Sequence, residues 1–502
     1  MSLSILLVCV FALVLRLLPM RLVPHGGGVD QWFWRVYIER VRQKVEFPPR
    51  LDQFQLDEAQ WYPPLFPWVL AKLPCAIFER YAGHMAVLLD LTRLLLLMAA
   101  GYALGGDWRA AVVGGLVYSL TPVLITYNMQ LNPRGLGALF LDALMLCMVI
   151  TLLREDFPWW SAAIFGGLVL LTHKMTTQLL VFVALVAGAA LLDVRFLLLL
   201  VLSVGVALIL SAGFYRLVFL AHLDILRFWL HNWRWTGANP VLESPIYGEP
   251  GFESPSKFYR SGWRAALRRL SFVIGFNPWM PAVLLIGCIL WLEGYAIGQG
   301  QFLAFGWLAI TFSFSLMTTV LPPLRCLGQG YLYGYNGSFP AALALGLSWD
   351  ALVSSRIALL ICVATVIASS LALFAFFRTL RNSRTLKVDQ DLDQAICRLA
   401  ELPEGTVMCL PQHWHDVVAC RSGKSVAFGG HGYGFQLLQP IFPRLLIPVR
   451  QFIQEQNVGY LLLWPAYVNQ SFLNDLPAAE IEECGEYRLY SFQVGQEVKN
   501  GS

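Results

Sequence analysis

The stretch His25-Gly26-Gly27-Gly28-Val29-Asp30-Gln31-Trp32-Phe33-Trp34 follows closely on the first hydrophobic run of the chain. It marks where a membrane span ends and a polar loop begins. A carboxylate held at a membrane surface, among glycines and aromatics, is costly unless it has a task. The composition around it sets the class. Of 502 residues, 57% are hydrophobic and only 14% charged, against about 25% charged in soluble proteins. Most of the chain is therefore solvated by lipid. The 17 tryptophans and 18 tyrosines suit membrane–water interfaces, where amphipathic rings collect. The net charge of +4 is too small and too dispersed for nucleic acid.

With roughly 20 apolar residues per crossing as the template, about eleven helices are expected. They lie near 2–19, 86–105, 110–127, 135–153, 159–172, 178–193, 196–220, 271–293, 302–321, 338–353 and 357–377. The N-terminus lacks a basic region and a cleavage site, so the first span reads as a retained helix rather than a signal peptide. The expected fold is an α-helical polytopic membrane domain over 1–377, followed by a soluble α/β domain over 378–502. Large loops at 20–85, 221–270 and 322–337 interrupt the membrane part.

Alternate gaps between spans differ in kind. Gly106–Arg109, Arg154–Phe157, Asp193–Arg195, the stretch near Gly298 and Ser354–Arg356 are clipped turns. The gaps between them carry the polar and aromatic residues: Asp30–Tyr81, Asn128–Arg134, His173–Thr177, Ala221–Arg269 and Pro322–Gly337. Alternate gaps face one side, so one membrane face collects the chemistry. The arginines of the short turns point to the other face as cytoplasmic. The rich face is then extracytoplasmic, and an odd helix count places the tail there too.

Within the first loop, Phe33, Val36, Tyr37 and Val41 fall at helical spacing opposite Arg35, Glu39 and Arg42, which predicts an amphipathic helix lying in the interface. The prolines of Gln60-Trp61-Tyr62-Pro63-Pro64-Leu65-Phe66-Pro67 break that helix and turn the chain back. In the tail, Thr406–Leu410, Ser425–Phe428 and Tyr460–Trp464 read as strands, while Asp391–Leu402 and Pro448–Gln456 read as helices. That alternation implies a partly parallel sheet. Cys397, Cys409, Cys420 and Cys484 leave room for one disulfide in an extracytoplasmic tail. No cysteine or histidine spacing forms a zinc site, His413, His415 and Asp416 included. A divalent metal stays open as a cofactor, with no site assigned.

This arrangement resembles the GT-C superfamily of integral-membrane glycosyltransferases. The motif Gly28-Val29-Asp30-Gln31-Trp32-Phe33-Trp34 is similar to the acidic motif these enzymes carry after their first span. Trp61-Tyr62-Pro63-Pro64-Leu65, Thr172-His173-Lys174 and Pro323-Leu324-Arg325-Cys326-Leu327-Gly328-Gln329-Gly330-Tyr331 resemble further polar turns of prokaryotic members. The Trp-Trp-Asp acceptor signature of oligosaccharyltransferases does not occur, which counts against an Asn-glycosylating enzyme. The resemblance implies sugar transfer from a polyprenyl-phosphate donor to a glycan, lipid or protein acceptor. The missing basic signal and the compact tail point to a bacterial plasma-membrane enzyme, and the arginines of the short turns put its site toward the periplasm.

Such transfer needs a base for the acceptor hydroxyl, cations for the departing phosphate and a groove for the lipid. Asp30 is the candidate base, or a cap of the helix that follows, or both. Lys174, His173, Arg325 and Arg134 are candidates for the donor phosphate; snorkelling and helix anchoring are the alternatives for Lys174 and Arg134. Asp57 and Glu58 are candidates for acceptor or metal, or a solvated loop. Tyr62, Tyr331 and Tyr333 are candidates for stacking on sugar, or members of an aromatic belt. Asp90 and Arg93, three apart, read as a structural pair. Asp142 lies within a span and should face the bundle interior. Two other functions fit less of the pattern. One is an O-antigen-type polymerase or ligase using lipid diphosphates, with His222 and His231 in the later loop. The other is a transporter or flippase, for which no internal repeat is visible.

Overall fold

The computed structural model describes residues 2–23, 30–43, 48–55, 61–154, 156–233, 263–382, 390–429, 437, 439–441, 446–468 and 470–492. Asp57 and Glu58 lie outside them, as do Arg260 and most of the loop before the eighth expected span.

Helices in chain order are α1 (Ser2–Leu22), α2 (Asp30–Arg42), α3 (Leu65–Ala71), α4 (Cys75–Tyr81), α5 (Met85–Gly105), α6 (Trp108–Ser119), α7 (Pro122–Tyr127), α8 (Arg134–Leu153), α9 (Ala162–Leu170), α10 (Lys174–Leu191), α11 (Arg195–Leu210) and α12 (Tyr215–His231). After the loop come α13 (Trp263–Phe276), α14 (Trp279–Leu292), α15 (Gln299–Val320), α16 (Gly334–Leu347), α17 (Trp349–Ser354) and α18 (Arg356–Asn382).

Six of these segments are long and apolar enough to cross a bilayer, or eight if two bent pairs each count as one span. The expectation of about eleven crossings also includes shorter apolar runs, such as the one that forms the helix Trp159–Leu170. The run at 196–220 is cut where Ala212 and Gly213 both take left-handed backbone, and α12 leaves α11 at 119°. The run at 271–293 bends by 84° between α13 and α14, where Pro278 supplies no amide to the ladder. Pro122 likewise separates α6 from α7. Hydropathy sees apolar length; it does not see a break inside it.

The membrane body closes through small residues. A Cβ on Gly114 would stand 3.0 Å from Ala342 O, and one on Gly346 would collide with Ala110 O. α6 and α16 therefore meet backbone to backbone, as small residues permit in lipid. Two ion pairs are sealed inside. Arg16 Nε on α1 meets Asp90 Oδ2 on α5 at 2.7 Å, and Arg93 Nε on α5 meets Asp142 Oδ2 on α8 at 2.7 Å. Asp90 and Arg93 thus do not pair with each other. Each finds a partner on another helix, and Asp142 faces the interior as expected.

The tail builds a mixed four-stranded sheet from β1 (Thr406–Leu410), β2 (Val458–Leu463), β3 (Ala479–Cys484) and β4 (Tyr487–Phe492), in the order β1-β2-β4-β3. β1 and β2 are parallel; the other pairs are antiparallel. Helices α19 (Gln390–Glu401) and α20 (His415–Ser422), and the helix Val449–Glu455, flank it. The expected strand at 425–428 shrinks to one bridging residue, Val426. All ten cysteines are free, so the tail disulfide is not formed.

The amphipathic helix α2 exists, but its apolar face is covered by protein rather than lipid. Phe33, Trp34 and Tyr37 share one core with Tyr62 and Phe66 of the turn and α3, and with Ile396, Val407, Val418 and Leu489 of the tail. The first loop also joins the sheet: Val426 N donates to Gln53 O at 2.7 Å, and Gln55 N to Val426 O at 3.0 Å. The tail is therefore seated on the first loop, at the Asp30 end of the molecule. Phe33 is fully buried against Trp34, Tyr37 and Phe54. Phe33→Ala is expected to cost about 3–5 kcal/mol and to loosen this seat. Limited proteolysis and melting of the detergent-purified protein measure it; unchanged tail protection and melting would contradict the packing.

Candidate functional site

Most of the predicted residues that lie within the described structure converge at this end. Asp30 opens α2. Tyr62 sits in the proline turn, which is pinned by Leu65 N donating to Leu171 O at 2.9 Å, just before the break between α9 and α10. His173 and Lys174 form that break: His173 is the N-cap of α10, its Nδ1 accepting from Thr176 N and lying 2.9 Å from Thr176 Oγ1. Its Nδ1 is thereby committed to the helix, which aims the next residue, Lys174.

Lys174 is half-buried, with Nζ 5.8 Å from the Tyr62 ring centre. The Asp30 carboxylate and the Arg134 guanidinium both act on its charge. Asp30 also acts on Tyr62 and Tyr127. These interactions place one carboxylate and two cations in a common electrostatic neighbourhood, although they come from α2, α8 and α10. Burial pushes the Tyr62 phenol well above its ordinary range, so it stays a neutral hydroxyl.

Arg134 starts α8, where Asn132 Oδ1 accepts from its backbone amide at 3.0 Å. Its guanidinium lies 4.8 Å over the Tyr127 ring and reaches Leu332 O at 3.4 Å. Tyr331 hydrogen-bonds Tyr127 and packs 4.8 Å from Phe276. Its ring is thus half-covered by protein. Tyr333 is fully buried and donates to Gln178 Oε1 at 2.6 Å. That makes it a framework residue rather than an open stacking platform for sugar.

Arg325 is buried in a 3-10 turn, Pro322–Leu327, where it lies 5.3 Å over the Trp233 ring. That turn packs on α12, which carries His222; His222 Nε2 is 3.0 Å from Gln178 Nε2. Sequence reading passed over Gln178, although a polar side chain one turn after Lys174 in an apolar helix was a usable signal. His231, at the far end of α12, is exposed.

Among the described residues, no group of three or more histidine, cysteine or acidic side chains could hold a metal ion. In the tail, His415 Nε2 accepts from Cys409 N at 2.8 Å, so this histidine braces β1.

No protein-family model and no curated relative matches the sequence. Solved structures do match by shape. Against ArnT from Cupriavidus metallidurans bound to undecaprenyl phosphate, the TM-score is 0.58 at 15% identity, over 97% of each chain. Against the apo oligosaccharyltransferase of Archaeoglobus fulgidus it is 0.55 at 10% identity, over 92% of this chain and 69% of that one. The same archaeal enzyme, AglB, in complex with an inhibitory peptide and a dolichol-phosphate, gives 0.53 at 11% identity, over 91% and 68%. The fold of this chain is thus the GT-C fold of such membrane proteins: a polytopic helical body with a β-sheet-containing region at its C-terminal end.

Proposed function

We propose that this protein is a membrane glycosyltransferase that moves a sugar from a polyprenyl-phosphate donor to an extracytoplasmic acceptor, a glycan, lipid or protein. The observation that carries the reading is the electrostatic convergence of Asp30, Lys174 and Arg134 from three helices separated in sequence. The shared fold with a chain solved with undecaprenyl phosphate supports it.

In this reading the sugar is attached through its anomeric carbon to a phosphate oxygen. The acceptor oxygen attacks that carbon from the opposite face. Its proton passes to the Asp30 carboxylate, and the bond to the phosphate oxygen breaks with its electron pair. One displacement inverts the anomeric centre. The polyprenyl phosphate leaves with one more negative charge than it carried as a diester. Lys174 and Arg134 stabilise that growing charge, Arg134 as a planar fork and Lys174 as a point charge. Arg325 is assigned to the same anion, and Tyr62 to sugar or acceptor. Asp57 and Glu58 keep their assignment to acceptor or metal.

The reading includes about eleven crossings, a tail domain from residue 378 on the extracytoplasmic face, and a bacterial plasma membrane with the site toward the periplasm. The absent Trp-Trp-Asp triplet disfavours asparagine as acceptor.

The test uses purified protein and a panel of radiolabelled polyprenyl-phosphate sugars, scored for loss of label from the lipid. Release by wild type supports the assignment and identifies the sugar. Release only from diphosphate-linked donors would replace it with a polymerase-type reaction; counterflow in vesicles without bond cleavage would replace it with transport. Lys174→Gln is expected to weaken undecaprenyl phosphate binding by about tenfold, the loss of one charge-assisted contact. Equilibrium binding in detergent measures it, and unchanged affinity would remove Lys174 from the donor site.

A further inference from the structure

Gln178 lies one turn beyond Lys174 on α10, so the two side chains share a helix face. Its amide ties that face to two other elements. Tyr333 Oη donates to Gln178 Oε1 at 2.6 Å, and Gln178 Nε2 stands 3.0 Å from His222 Nε2. The proton positions then follow from chemistry. With the Gln178 amide oxygen on the Tyr333 side, as the 2.6 Å contact has it, the amide nitrogen faces His222 and can only donate, so His222 Nε2 accepts. A ring that accepts at Nε2 is neutral and carries its proton on Nδ1.

Nδ1 has no hydrogen-bond partner among the described residues. The anchor at the other end is fully buried: the single Tyr333 hydroxyl proton lies between Gln178 Oε1 at 2.6 Å and Leu327 O at 2.8 Å. The Lys174 charge reaches the His222 ring, and α12 packs on the turn that bears Arg325. An uncommitted N–H donor thus occupies the same corner as two cations of the site.

The geometry points to His222 as a further ligand of the donor phosphate, giving Nδ1–H to a phosphate oxygen beside Lys174, with Gln178 and Tyr333 as positioning residues that hold this tautomer. The inference rests on the assignment of Lys174 to a lipid-linked phosphate. A neutral donor suits this place. Its hydrogen bond strengthens as the leaving phosphate gains charge, and it adds no third cation to retain the product.

The experiment measures equilibrium binding of undecaprenyl phosphate to the full chain in detergent, for wild type, Lys174→Gln, His222→Asn and His222→Gln. Asparagine keeps an amide near the Nδ1 position and gives up the Gln178 contact; glutamine does the converse. His222→Gln is expected to weaken binding about tenfold, and His222→Asn by clearly less. Nitrogen-15 spectra of histidine-labelled protein should show the His222 ring neutral with its proton on Nδ1, and Tyr333→Phe should lose that single tautomer. Wild-type affinity in both His222 variants, with Lys174→Gln weakened, overturns this inference alone. Binding losses larger for asparagine than for glutamine, tracking melting temperature, make the histidine structural and overturn it as well. Failure of wild type to bind undecaprenyl phosphate overturns the donor assignment and this inference together.

Discussion

Asp30→Asn is expected to lower sugar transfer by about 10²- to 10⁴-fold, the usual contribution of a positioned general base, while undecaprenyl phosphate still binds. The asparagine side chain has nearly the same shape and cannot take a proton. It also removes a negative charge close to Lys174, so affinity for the anionic lipid should hold or rise. The competing role for Asp30 is structural, because it opens α2 and favours the positive end of the helix. That role is worth about 0.3–1 kcal/mol at an exposed helix end, and asparagine retains a polar group there. The two roles therefore separate cleanly. A base predicts a large loss of turnover with unchanged melting; a cap predicts a small loss of stability with turnover intact. Full transfer by Asp30→Asn, with an identified donor, would remove the base from the mechanism.

Arg93→Met is expected to destabilise the protein by about 3–5 kcal/mol, the cost of stranding one member of a buried ion pair. Arg93 and Asp142 are both fully buried, with the pair closed at 2.7 Å. The guanidinium also lies 4.9 Å over the Tyr335 ring, whose hydroxyl meets Asn128 Oδ1 at 2.8 Å. Removing the arginine leaves the Asp142 carboxyl without its cation in a lipid-embedded core. Replacing both partners, Arg93→Met with Asp142→Leu, is expected to recover most of the loss, since no charge then remains to desolvate. Denaturant or thermal unfolding in detergent checks this. A double variant as unstable as the two single changes added together would show that the site needs charge rather than packing there. The neighbouring pair, Arg16 with Asp90, has the same closure and also receives Tyr118 Oη at 2.7 Å. It should respond in the same way.

Local patterns singled out residues of the proposed site and misplaced part of the frame. Asp30, Lys174 and Arg134 stood out because a charge at the end of an apolar run is expensive wherever it goes. His173 was legible as a break but not as the N-cap that it is. For Tyr331 and Tyr333 the choice between sugar stacking and an aromatic belt stayed open, because the pattern shows aromatics and not their covering. The pairing of Asp90 with Arg93 followed from spacing of three on one helix. It gave way to partners on α1 and α8 because a fully desolvated charge gains more from a closed contact than from a neighbour on its own helix. Gln178 and His222 were separated by 44 residues, and nothing local linked them.

By itself, the sequence determined that the chain is a polytopic membrane protein and that strand and helix alternate in its tail. These are properties of short windows: apolar length, period and the cost of a buried charge are decided within about 20 residues. Only the tertiary structure decided where apolar runs break, which charges pair, that the tail sits on α2, and that Gln178 bridges Tyr333 and His222. Each of those depends on what a side chain meets after the helices pack. Desolvation and hydrogen bonding are set by neighbours in space, and in this chain those neighbours come from distant segments.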